Sequence, residues 1–235
     1  MRRPSPVRPP AIRARVPART RRQASPDSWH SRRLAAPSDR DYWNHNTAYH
    51  PWLVAIAAEH RGDVLDIGCG DGLLAQRLAP VSRSVTGIDP DPEAIGRAAD
   101  RLASLRHVTV AHGDFQDYRP GAHKFDLVTF VASLHHMDLR ASLVKARELL
   151  TPTGEIAVVG CCANKTVRDW VWSAMCVPAA RIGSLLHSET RNIGVVVTDP
   201  QEGLDDIRRT ADQILPGASV RRALYYRYLL RWRSG

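Results

Sequence analysis

The sequence predicts an α/β fold in which a mostly parallel sheet carries helices on both faces. Three observations point there. Short apolar runs alternate with amphipathic helical segments from about Asp39 onward; the first of these runs ends in a glycine-rich turn that opens a helix; and Phe125–Val131 is an apolar run of the kind found in strands buried on both faces.

The elements follow in order. Thr47–His60 reads as an amphipathic helix with Trp52, Leu53, Ile56 and Ala57 on one face. Asp63–Ile67 is a short strand, the turn Gly68–Gly72 follows, and a helix is expected over Leu73–Ala79. Ser84–Ile88 is the second strand. Pro92–Leu102 is the second helix of the alternation, with Asp91 as its N-cap ahead of a proline suited to the first turn. His107–Ala111 and Phe125–Val131 are the third and fourth strands, Leu139–Leu150 a helix and Glu155–Cys161 the fifth strand. A helix over Pro200–Leu215 stops at Pro216-Gly217, and Ser219–Tyr225 and Tyr228–Trp232 can pair as a hairpin. The stretch 162–199 interrupts the alternation and reads as an insertion after the fifth strand. It holds two short helices, Val167–Met175 and Ala180–His187, separated at Pro178.

The 235 residues suffice for one such domain and are short for two. The net charge of +9 first suggests an acidic partner, but its position changes that reading. Residues 1–38 hold ten Arg against the single acid Asp27, and residues 39–235 hold 23 basic and 23 acidic side chains. The basic excess therefore belongs to an Arg/Pro-rich tail, expected to be disordered, and the domain over 39–235 is neutral. A nucleic-acid enzyme usually carries its positive footprint on the docking domain, so the balance argues against that class. No apolar run approaches the ~20 residues of a membrane span, and no apolar segment follows the N-terminal arginines as a secretory signal requires. Cys69, Cys161, Cys162 and Cys176 form no C-x-x-C pair, so no metal site is expected and a reducing cytoplasm fits them.

The chemistry concentrates in Asp63–Gly72. Glycine is required where the backbone turns tightly or a ligand lies against the main chain, and helix-start amides point at whatever sits there. The spacing is G-x-G-x-G rather than the dinucleotide fingerprint G-x-G-x-x-G. Acids at Asp66 and Asp71 would repel a pyrophosphate, whereas a sulfonium cofactor with a free ammonium group tolerates them. Asp89 ends the second strand 21 residues after Gly68, where a carboxylate can accept both hydroxyls of a ribose; read alone, it is equally a turn residue before Pro90. Asp114 after the third strand can accept from an adenine amino group, with Phe115 packing on the ring, or can simply cap its loop. His135 and His136 follow the fourth strand, at the edge where open α/β sheets bind ligands, and are the candidate general bases. Both are also readable as packing residues. His45, Tyr49 and His50 precede the first strand, where a segment can fold over a ligand.

Taken together, these motifs resemble the class I S-adenosylmethionine-dependent methyltransferases. VLDIGCGDG is similar to the family's glycine motif, VTGIDPD to the second, HGDF to the third, FDLVTFVASLHHMD to the fourth and LLTPTGEIAVVG to the segment after it, with Thr153 where the family usually has glycine. The ordered matches cover roughly residues 62–160. HNTAYHPWL and LPGASVRRALYYRYLLRW further resemble a bacterial subgroup acting on small molecules. The resemblance implies a Rossmann-like, seven-stranded sheet of order 3-2-1-4-5-7-6 with strand seven antiparallel. It implies S-adenosylmethionine contacts at Asp66, Gly68, Cys69, Gly70, Asp89, Pro90, Asp114 and Phe115, with Tyr49 and His50 covering the cofactor. It also implies transfer of a methyl group to a small-molecule acceptor. Within 162–199 the stripe Trp170, Trp172, Met175, Leu185 and Leu186 reads as core by its helical spacing, and as a wall of the acceptor site by its position after the fifth strand. Neither nucleic acid nor membrane is expected as a partner, and the oligomeric state is left open. The alternatives are a nicotinamide-dependent oxidoreductase and a non-catalytic protein that keeps the cofactor site.

Overall fold

The structure, a computed structural model, describes residues 41–187 and 200–235. The Arg-rich tail expected over 1–38 and the last part of the expected insertion lie outside the described residues. Seven strands form one sheet: β1 Asp63–Ile67, β2 Ser84–Asp89, β3 Val108–His112, β4 Phe125–Val131, β5 Leu150–Cys161, β6 Ser219–Ala223 and β7 Arg227–Arg233, in the order β3-β2-β1-β4-β5-β7-β6. All neighbours are parallel except β7, which runs antiparallel to both β5 and β6.

Alternation along the central strands builds two cores. Leu65, Ile67, Val128, Phe130, Ile156 and Val158 face α4 (Leu139–Glu148) and α6 (Leu204–Ile214). Val64, Leu127, Ala157 and Val159 face α1 (His50–His60), α2 (Leu73–Leu78) and α3 (Pro92–Leu102). Two-faced burial leaves little room for charge, and two carboxylates on these strands have specific partners. Asp63 accepts a paired contact from Arg83 at 2.8 and 2.7 Å. Glu155, with no exposed surface, is bonded by Arg231, Arg233 and His60. Burial pushes the Glu155 carboxyl up, but these donors outweigh it and hold the group below its ordinary range.

The N-cap expected of Asp91 forms, its side chain accepting from Glu93 N at 2.8 Å. Other expectations shift. The helix expected from Thr47 begins as a 3-10 turn, Thr47–Tyr49, and becomes α-helical only at His50. The helix expected from Pro200 starts at Leu204, where Gly203 N bonds the Asp206 carboxylate at 3.0 Å. The two short helices expected around Pro178 are one helix, α5, Val167–His187. Pro178 and Ala174 are both exposed, so the carbonyl that loses its helical donor can be hydrated, and the helix passes through. The buried side of α5 is narrow, with Asp169, Cys176, Ala180 and Gly183. Trp170, Met175, Leu185 and Leu186, expected as core or pocket wall, lie 64–82% exposed. No helix among the described residues is long and apolar enough to cross a membrane.

Candidate functional site

The turn after β1 is pinned to β2. Gly68 N and Cys69 N both donate to Ile88 O, at 2.8 and 3.1 Å, so the chain reverses against the neighbouring strand. Gly68, Gly70 and Gly72 all have positive φ, at 74°, 55° and 79°. At Gly68 a side chain is also excluded by space, since a Cβ there would meet Ser133 Cβ at 2.3 Å. Ser133 in turn donates to Ile67 O at 2.5 Å, which ties the end of β4 to the end of β1.

This close approach opens a cavity of about 350 Å³ at the carboxyl ends of β1, β2 and β4, within the usual size of small-molecule sites. Its wall includes Asp66, Gly68, Cys69, Gly70, Asp89 and Pro90 from the first two strand ends and His136 beyond β4. His50 adds the start of α1. Tyr49, Asp114, Phe115 and His135 are not in the wall. The Tyr49 hydroxyl donates to Leu224 O at 2.7 Å, on the β6–β7 turn. Asp114 is exposed and caps a short turn by accepting from Gln116 N at 2.6 Å. The Phe115 ring is 1% exposed, meets Phe130 edge-on at 5.8 Å and has the Lys145 ammonium over it at 4.9 Å. His135 and His136 lie against each other at 4.1 Å between ring centres, but only His136 borders the cavity.

The wall holds residues for which the sequence offered little signal. Tyr42, Asn44, Asn46 and Thr47 come from an aperiodic stretch whose shape is local: Asn44 Oδ1 accepts from Asn46 N and Thr47 N, both at 2.9 Å. That stretch is fastened to the β6–β7 turn, where Arg227 Nε donates to Asn46 Oδ1 at 2.8 Å and Tyr225 stacks on His45 at 4.8 Å. The turn places Tyr225 and Tyr226 at φ 57° and 59°, the two left-handed positions of a tight hairpin usually filled by Asn or Gly. Such strain persists where surrounding contacts hold it. Ala132 and Ser133 also line the cavity, and Ala132 is left-handed at φ 51°.

Charge in the cavity is one-sided. Asp66, Asp71, Asp89 and Asp91 contribute carboxylates, and no Lys or Arg is among the described lining residues. Asp71 is neutralised from behind by Arg101 at 2.9 Å and accepts from the Tyr42 hydroxyl at 3.1 Å. Both oxygens of Asp89 are engaged, Oδ2 by Gly70 N at 2.8 Å and Oδ1 by Asp91 N at 2.9 Å. Asp66 differs. It is 1% exposed, Oδ1 accepts from Thr129 at 2.8 Å, and Oδ2 has no partner. Burial pushes its carboxyl up to about 7 against the Thr129 hydrogen bond, with the Asp89 charge adding to the rise. His50 goes the other way. Burial and the facing Arg77, at 3.1 Å from Nδ1, push it down to about 3, so the ring is neutral with its proton on Nε2.

An acid-lined cavity with an unmet carboxylate oxygen does not suit a pyrophosphate, which needs cations or free amides. It suits a ligand with a ribose-like diol and a cationic amine, and the residues present fit an adenosyl amino-acid cofactor of that description.

Comparison with known proteins identifies relatives of the chain. A family model described as a methyltransferase domain matches residues 64–154. An uncharacterized methyltransferase of Mycobacterium tuberculosis is 34% identical over 193 residues, covering 82% of this chain and 97% of the relative. A ubiquinone biosynthesis O-methyltransferase of Paraburkholderia phytofirmans is 28% identical over 188 residues, covering 73% of this chain and 79% of its own. Among solved structures, the N-methyltransferase NodS of Bradyrhizobium japonicum in complex with S-adenosyl-L-homocysteine has a TM-score of 0.56 at 19% identity, over 81% of this chain and 88% of that one.

Proposed function

Because the chain belongs to the class I S-adenosylmethionine-dependent methyltransferases, we propose that its acid-lined cavity binds S-adenosylmethionine and that the methyl group passes to a small-molecule acceptor. The observation that carries the reading is Asp66: a buried carboxylate with one unpartnered oxygen, in a wall with no Lys or Arg among the described lining residues. Such an oxygen is costly unless a donor arrives, and the cofactor's ammonium group is a donor of the right charge.

When bound, the cofactor supplies a methyl carbon on a sulfonium centre, whose departure needs no acid. The chain's own residues then have four tasks. Asp66 takes the ammonium end. Asp89, its rotamer fixed by two backbone N–H groups, keeps lone pairs for the ribose hydroxyls. Gly68 lets the main chain lie flat against the ligand. Tyr42, Asn44, Asn46 and Thr47 cover the cavity and exclude water. Holding cofactor and acceptor in line is worth about 7–11 kcal/mol in favourable cases. His136, exposed at the cavity wall, is the group placed to take a proton from an acceptor that must lose one.

A small acceptor is supported by the neutral balance of residues 39–235 and by similarity to the ubiquinone biosynthesis O-methyltransferases. Four free cysteines fit a cytoplasmic site of action. Calorimetric titration with S-adenosylmethionine and with NADH tests the reading. Micromolar binding of the first and none of the second is expected; the reverse, in folded protein free of retained S-adenosylhomocysteine, overturns it.

A further inference from the structure

A second cavity, of about 430 Å³, opens at the same carboxyl edge of the sheet, beyond β5 and β7. Its wall combines the residues after β5, the first turns of α5 and the β6–β7 hairpin. The side chains that matter are Trp170, Trp172, Tyr226, Arg222 and Arg227. Its chemistry is opposite to that of the first cavity. Two arginines line it, and no carboxylate is among the described lining residues.

Two buried donors in this wall have no acceptor: Trp172 Nε1 and Arg222 Nε. An indole N–H can only donate, and a guanidinium stays charged at any physiological pH. Neither can relieve its state by changing protonation, so each needs an incoming acceptor, either a water or a ligand oxygen. Arg222 is held in place by Asp169, whose carboxyl this contact keeps well below its usual range, with help from Thr166 and Lys165 N. Among the described residues, the partners of Arg227 are neutral groups, Asn46 Oδ1 and Tyr225 O. With Arg222 neutralised by Asp169, Arg227 is left as the unbalanced cation among the described lining residues, between aromatic side chains.

We infer that this cavity seats a carboxylate carried on an aromatic or apolar body, and that this carboxylate belongs to the methyl acceptor. A carboxylate has two oxygens for two waiting donors and one negative charge for one unbalanced cation. The aromatic walls suit the body that carries it. Asn46 links the two sites. It borders the cofactor cavity and receives Arg227, which borders this one, so the two cavities share a wall at that hydrogen bond. An acceptor anchored here by its acid end reaches toward the cofactor with its other end. The assignment to the acceptor rests on the methyltransferase reading; binding of the carboxylate does not.

The test is calorimetry on the full chain with benzoate, benzamide and phenyl phosphate, alongside S-adenosylhomocysteine. Benzoate is expected to bind at least about tenfold more tightly than benzamide, as a hydrogen bond to a charged group predicts. Trp172→Phe keeps the ring and removes the donor; Arg222→Lys keeps the charge that pairs with Asp169 and removes Nε. Each is expected to weaken benzoate about tenfold and leave S-adenosylhomocysteine affinity unchanged. Equal binding of benzoate and benzamide, or no effect of Trp172→Phe, overturns the site. A preference for phenyl phosphate overturns the carboxylate assignment. Benzoate binding that depends on Trp172, in protein that fails to bind S-adenosylhomocysteine, keeps the pocket and sinks the cofactor reading instead.

Discussion

The Asp89 carboxylate accepts the amide of Gly70 at 2.8 Å, so the end of β2 fixes the glycine turn that follows β1. One side chain thus holds the shape of the loop and faces the ligand. Asp89→Ala is expected to weaken S-adenosylhomocysteine by about tenfold or more, since a diol acceptor and a loop anchor go together. Asp89→Asn is expected to fall in between, because its amide nitrogen faces a backbone N–H that it cannot accept. Titration of both variants checks this; an unchanged affinity in Asp89→Ala would falsify the ribose assignment.

Asp66 gives a pH signature. Its carboxyl is pushed up to about 7 in the folded chain by burial and sits near ~4 when unfolded. Between those values the folded state holds the extra proton, so this group lowers stability progressively as pH rises from about 4 to 7. Asp66→Asn is therefore expected to raise the melting temperature of the ligand-free protein at pH 8 and to leave it little changed at pH 4. The same variant is expected to bind S-adenosylhomocysteine poorly at both. In the parent, affinity rises across pH 6 to 8 as the carboxylate forms. A melting difference that does not grow with pH contradicts the assignment.

His136 and His135 are adjacent in sequence and separable in role. His136→Ala is expected to lower turnover by about 100-fold, the lower range for loss of a general base, with S-adenosylhomocysteine affinity held within about twofold. His135→Ala is expected to change turnover far less, since it does not border the cavity. Equal losses of turnover and affinity in His136→Ala identify a packing residue.

The Asn46–Arg227 hydrogen bond fastens the cover of the cofactor cavity to the hairpin. Asn46→Ala is expected to speed release of S-adenosylhomocysteine by about threefold to tenfold, the range for one ordinary hydrogen bond lost at a partly exposed site, at nearly unchanged melting temperature. Stopped-flow release and a thermal melt on one sample distinguish a fastening from a structural role; a large melting loss with normal release assigns the latter.

Glu155 stabilises in the opposite pH sense to Asp66. Arg231, His60 and Arg233 hold its folded carboxyl below the ordinary range despite burial. Its contribution is complete above the unfolded value of ~4.3 and is lost as pH falls through the lower folded value. Glu155→Gln is expected to cost roughly 1–3 kcal/mol at pH 7 and much less near pH 3. Urea melts at the two pH values measure the difference, and a pH-independent cost assigns the effect to packing.

The sheet was legible because strand burial on two faces leaves runs such as Phe125–Val131 that few other environments permit. The start of α3 was legible because Asp91 and Pro92 act through local chemistry alone. Pro178 misled because a proline's effect depends on whether the freed carbonyl meets water, which is a tertiary fact. Phe115 illustrates a limit of a different kind: an aromatic after a strand can face a ligand or a core, and its burial against Phe130 is a tertiary fact that no local pattern carries. The cavity wall from Tyr42 to Thr47 has no periodicity to read, because its shape comes from side-chain bonds to its own backbone. The second cavity depends on Trp172, Arg222 and Arg227, brought together by an antiparallel hairpin more than fifty residues beyond β5.

Glu155 has a separate importance before the sheet is complete. Its β7 partners Arg231 and Arg233 lie 76 and 78 residues further along the chain, so in any state in which β7 is unpaired β5 has an open edge. In such a state Ile156, Ala157, Val158 and Val159 would present a bare apolar strand, the kind that recruits a matching strand from another molecule. An unneutralised carboxylate at the head of that run resists such recruitment. With β7 paired, the same charge is its anchor, so one carboxylate serves the strand edge in both conditions, by discouraging the wrong partner and by clasping the right one.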